Sequence, residues 1–83
     1  MILHVVRAEH IEGYRIHVWF NDNSDGEIDL TGELEGPIFQ PLKSLDFFKQ
    51  FRIDGHTLAW ENGADFAPEY LQDLVGTSAS IKP

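Results

Sequence analysis

The sequence predicts an α+β domain: a mainly antiparallel sheet of about four strands carrying two short helices. Three observations point there. Tyr14 to Phe20 alternates apolar and polar residues with period two. Asn21 to Gly26 and Asn62-Gly63 are strong reversal signals. Ser44 and Pro68 each open a stretch whose apolar residues recur at helical spacing.

The elements follow in order. Ile2 to Ala8 is rich in β-branched and aliphatic residues and reads as a first strand, with Glu9 to Gly13 as its turn. In the second strand Tyr14, Ile16, Val18 and Phe20 fall on one face and Arg15, His17 and Trp19 on the other. Glu27 to Thr31 alternates again, with Ile28 and Leu30 inward, which completes an antiparallel meander. Gly32, Gly36, Pro37 and Pro41 make the next stretch a connection. Ser44 suits an N-cap for a helix over 44–52, with Asp46 in its first turn and Lys49 and Arg52 near its end. His56 to Trp60 reads as the fourth strand, with Leu58 and Trp60 on one face. Pro68 fits the first turn of the last helix, Tyr70, Leu71, Leu74 and Val75 form its apolar stripe, and Gly76 suits its C′ position. One domain over residues 1–76 and a flexible tail over 77–83 are expected.

A chain of 83 residues is close to the size at which one core is only just sufficient. Six Phe, two Trp and two Tyr give that core bulky rings, which supply much apolar area per residue. The absence of Cys excludes a disulfide framework and any Cys-based zinc site. No apolar run approaches membrane length, and the first residues lack a basic region followed by a sustained apolar one, so a cytoplasmic location is expected. The formal charge of −8 argues against nucleic acid, whose binding rests on neutralising phosphates, and suits a basic protein partner. Residues 21–35 concentrate that charge: Asp22, Asp25, Glu27, Asp29, Glu33 and Glu35 stand there without a Lys or Arg.

The chemical motifs are weak. Residues 21–32 imitate a calcium-binding loop, but Asn21 holds the first position and Gly32 the twelfth, where a bidentate Glu is needed. His4, His10, His17 and His56 lack zinc-ligand spacing, although His4 and His17 fall where neighbouring strands could bring them together. Ser24, Ser44, Ser78 and Ser80 sit in a turn, at a cap and in the tail, outside any nucleophile elbow. Asp65 and Glu69 are four apart; Asp65 reads better as an acceptor for the turn or helix start, and Glu69 as a complement to the helix dipole, than the two as a catalytic pair. No catalytic residue, cofactor or metal is therefore expected. Trp19 stands apart: on the polar side of a strand, a Trp is either packed under a helix or part of a contact surface. The candidate interaction surface is Trp19 with Arg15, His17, Asp22, Asp25, Glu27 and Asp29, and the first strand, uncharged before Arg7, invites either burial or pairing in a homodimer.

Four segments carry a family resemblance: VWFNDNSDGEIDL at Val18 to Leu30, GPIFQPL at Gly36 to Leu42, the helix with Phe47 and Phe51, and WENGADFAPEYL at Trp60 to Leu71. In order and spacing they resemble DUF2442, a family of small, mostly bacterial proteins of unknown function. Trp60, Asn62, Gly63, Asp65 and Pro68 match its strongest signature, while Glu61 replaces the usual Pro and Asn23 the usual turn Gly. The resemblance implies an α+β domain, sometimes fused to a helix-turn-helix regulator and encoded beside another small protein. It thus implies a toxin–antitoxin-like or regulatory pair, of which this would be the acidic member, and carries over no catalytic residue. A small metal- or ligand-binding protein is the alternative.

Overall fold

The computed structural model describes residues 2–80, the side chains of 76–80 excepted. Three strands form an antiparallel meander in the order β1-β2-β3: β1 (Val5–Glu12), β2 (Arg15–Phe20) and β3 (Asp25–Asp29). The alternation of β2 is realised literally, with Ile16, Val18 and Phe20 buried and Arg15, His17 and Trp19 half-exposed on the other face. Ile28 pairs with Ile16, and Leu30 donates its N–H to the Tyr14 carbonyl, so the inner face continues across β3. The β2–β3 turn is closed by the Phe20 N–H on the Ser24 carbonyl, with Asn23 at φ 71°. Asn accepts that left-handed geometry, so a Gly is not required at this position.

Beyond β3 the chain runs through two 3-10 segments, Thr31–Glu33 and Pro37–Lys43, then one helical turn, α1 (Leu45–Phe48). A second hairpin pairs β4 (Arg52–Asp54) with β5 (Thr57–Ala59), and α2 (Pro68–Ser80) closes the described chain. β4 is exposed, while β1, β2, β3, β5, α1, α2 and the second 3-10 segment contribute to one hydrophobic cluster on the inner face of the meander. Trp60 lies near its middle, 2% exposed, with the rings of Phe48, Phe51 and Phe66 at 5.7, 6.4 and 5.9 Å. Its indole N–H donates to the Phe48 carbonyl at 2.8 Å, so a bulky ring is buried without an unpaired polar atom.

Five expectations change. The strands form two sheets, because Gly55 (φ 60°) and His56 (φ 69°) turn the chain back on β4 and give β5 its own partner. The helix expected over 44–52 is a single turn, since residues 52–54 are drawn into β4; Ser44 caps it with its backbone carbonyl and no side-chain bond. The connection at 31–42 is largely wound as 3-10 turns, which Pro37 tolerates at the start of the second. α2 runs past Gly76 to Ser80, as an interior Gly costs only about 1 kcal/mol relative to Ala. Residues 77–80 of the expected tail are thus helical, and 81–83 lie outside the described residues.

The fifth change concerns β1, which starts at Val5 and is an edge strand. Its span therefore includes Arg7, Glu9 and Glu12, and its register slips by one residue at Val6 and again at Ile11. Charge and bulges both blunt an edge against pairing. The Val5 N–H further donates to the His56 carbonyl, tying its start to the second hairpin.

Candidate functional site

The outer face of the meander is a grid of three rows. Antiparallel pairing places residues directly opposite one another on the same face. Arg7, Trp19 and Asp25 make one row, Glu9, His17 and Glu27 the next, and Glu12, Arg15 and Asp29 the third. No described element packs across this face. Five carboxylates thus surround two guanidinium groups, one imidazole and one indole.

Contacts within the grid run along rows, along strands and along diagonals. Arg15 pairs with Glu12 at 2.9 Å and with Glu27, whose hydrogen bond is the chief reason its pKa is raised still further. His17 Nε2 meets Asp25 Oδ2 at 2.6 Å, and Arg7 pairs with Glu9. The Arg7 guanidinium carbon lies 4.7 Å from the Trp19 ring centroid, and the His17 ring lies 4.3 Å from it. At an exposed site a cation over an indole is worth about 0.5–1 kcal/mol. Trp19 is half-buried between these two neighbours and is not part of the core. Exposed ion pairs contribute little to stability, about 0–1 kcal/mol each, so the grid's chemistry lies in its pattern.

Six of the seven predicted surface residues meet here: Trp19, Arg15, His17, Asp25, Glu27 and Asp29. Asp22 does not. Its Oδ1 accepts the Ser24 N–H at 3.0 Å and hydroxyl at 2.5 Å, and its Oδ2 accepts Gln72 Nε2 of α2 at 3.0 Å. Those bonds, led by the Ser24 hydroxyl, hold the Asp22 carboxyl below the usual carboxylate range. Asp29 is lowered in the same way, by the Thr31 hydroxyl (2.5 Å) and N–H (2.9 Å). Asp22 and Asp29 are therefore turn acceptors, Asp25 at the fifth position of the calcium-like loop pairs with His17, and Gly32 lies in a 3-10 turn. Sequence reasoning missed Arg7, Glu9 and Glu12, which it had placed at the end of a shorter first strand and in its turn; only the register reveals them.

The histidines are dispersed. His4 stacks on His56, centroids 4.0 Å apart, rather than joining His17, because it precedes β1. His10 Nε2 bonds the Gly13 carbonyl at 2.8 Å. Among the described residues no three His, Asp or Glu side chains gather at metal-ligating spacing.

The signature segment folds back on β5. The Trp60 N–H donates to the Ala64 carbonyl, Asp65 bridges to Ala59, and Gly63 takes φ 95°. Asn62 is the residue that fixes the turn: Oδ1 accepts the Ala64 N–H at 3.1 Å, and Nδ2 donates to the Ile38 carbonyl at 2.9 Å. Asp65 was expected to be the acceptor, but its side chain is exposed and makes no hydrogen bond among the described residues. Since Arg52 also pairs with Ala59, Arg52 and Asp65 both line a hollow of about 280 Å³, together with Asp54, Ala59 and Glu61.

No helix of the described residues is long and apolar enough to cross a membrane. The DUF2442 family model, described as a protein of unknown function, matches residues 5–75. The match spans most of the 83 residues, and the chain belongs to this family. No curated protein and no solved structure matches it.

Proposed function

We propose that the chain is a non-enzymatic, cytoplasmic protein-interaction module, the acidic member of a two-protein pair of the toxin–antitoxin or regulatory kind. The observation that carries this reading is Trp19, a large ring held half-exposed in a grid of charges on a sheet face that no described element covers. Aromatic rings with Arg nearby are the anchors that protein interfaces favour. The excess of carboxylates on that face selects a basic partner and speeds its approach.

Affinity purification from the native host, using the wild type and Trp19→Ser, tests the reading. A basic protein should co-purify with the wild type, bind it again when both are pure, and bind less tightly as salt rises. Trp19→Ser should lose that binding while its unfolding free energy changes by no more than about 1 kcal/mol. Undiminished partner binding by the variant would remove the reading. The alternative, a small-ligand binder, draws on the hollow lined by Arg52 and Asp65. It would be favoured if Asp65→Asn, and not Trp19→Ser, abolished the native interaction.

A further inference from the structure

The meander's two edges are unlike. β1 is bulged at Val6 and Ile11 and is tied to the second hairpin at Val5. β3 pairs with β2 in unbroken register and has no strand on its other side among the described residues. The direction of its backbone groups follows from two hydrogen bonds. Phe20 N–H reaches the Ser24 carbonyl and Leu30 N–H reaches the Tyr14 carbonyl, so the even-numbered residues of β3 bond to β2. Asp25, Glu27 and Asp29 consequently direct their N–H and C=O groups toward the open edge. The same three residues carry carboxylates on the outer face, at every second position. An open edge is a template for another strand, and cross-strand neighbours of opposite charge favour the pairing while like charges oppose it. A second β3 would bring carboxylates against carboxylates.

We propose that the β3 edge receives an extended segment of a basic partner, with Lys or Arg at alternate positions meeting Asp25, Glu27 and Asp29. This rests on the reading of the outer face as the partner surface and adds its mode, strand addition. Arg15 and His17 occupy only part of the Glu27 and Asp25 carboxylates, and an ionised carboxylate offers about four acceptor sites, so each can take a second cation. The added strand lengthens each row of the grid by one residue, with its alternate side chains on the α2 side of the sheet.

Amide hydrogen exchange followed by NMR tests this with a short synthetic peptide that alternates Lys and Val. In the free protein the amides of Asp25, Glu27 and Asp29 should exchange rapidly. Peptide binding should slow those three by about tenfold or more, while Gly26 and Ile28, already bonded to β2, change little. Glu27→Lys should abolish that protection while leaving the fold intact, since it removes only an exposed pair. If the peptide binds and shifts Trp19, His17 and Arg15 but leaves the three amides fast, strand addition is wrong and the face reading survives. If it binds nowhere on this face, both fail. Protection of the three amides without peptide, growing with protein concentration, would assign the edge to a second copy and overturn the proposal.

Discussion

At the scale of single residues, the sequence made Trp60 legible and Asp65 illegible for one reason. A large ring in an alternating strand must be buried wherever the chain goes next, whereas an acceptor's partners depend on how the turn closes. Asn62 closes it, with bonds to Ala64 and Ile38 that no local pattern announces. Trp60→Ala removes a ring that is 2% exposed and leaves the Phe48 carbonyl without its donor. Urea unfolding should show a loss of about 3–5 kcal/mol; wild-type stability in this variant would mean the ring is not core. Asp29 offers a pH test. Its carboxyl titrates below its ordinary 3.8, chiefly through the Thr31 hydroxyl and then the Thr31 N–H. A depressed folded pKa contributes stability that is present above the unfolded value and is lost as pH falls through the folded one. The loss from Asp29 is thus confined below about pH 4. Thr31→Val, which keeps the N–H and removes the hydroxyl, should raise the Asp29 titration toward the ordinary value in an NMR pH series. An unmoved titration would assign the shift to something other than Thr31.

At the scale of elements, the meander was readable because period-two alternation in β2 dictates which side chains are buried, and its neighbours must extend the same face. The second hairpin was not read, although Gly55 opens its two-residue loop. Apolar residues at helical spacing, Phe47, Phe48 and Phe51, outweighed it. The short α1 shows why that weighting fails: one turn of helix is not stable alone, so packing of Phe48 against Trp60 decides where it ends. Docking of α2 was likewise invisible, since it depends on a missing side chain. A Cβ at Gly26 would lie 2.4 Å from Val75 Cγ1, with no unusual φ to require Gly there. Gly26→Ala should therefore cost about 1–3 kcal/mol by overpacking. Combined with Val75→Ala, the two losses should be less than additive, because the smaller partner makes room. Additive losses in a double-mutant cycle would mean that α2 is held elsewhere.

At the scale of the whole molecule, the charge of −8 was read from composition, but its arrangement needed the register that turns nine residues into three rows. The arrangement makes a claim about association. Two copies joined antiparallel at β3, centred on Glu27, would set Asp25 opposite Asp29 at both ends and Glu27 opposite Glu27 between them. Like charges directly opposed in a sheet are unfavourable, so the open edge should be guarded against itself by charge alone. Replacing Asp25 and Asp29 by Asn and Glu27 by Gln keeps each side chain's shape and removes the repulsion. It also spares an acceptor for Thr31, whose N–H and hydroxyl rest on Asp29. At neutral pH and low salt, light scattering should find the wild type at a constant mass across concentrations. The triple variant, folded by circular dichroism, should grow in mass as concentration rises. Salt near 1 M shortens the screening length to about 3 Å and should move the wild type in the same direction. A folded triple variant whose mass stays constant beside the wild type would show that the carboxylates are not the guard. The regularity of the β3 edge would then have to be offset by another feature, and the match between these acids and a basic partner strand would lose its strongest support.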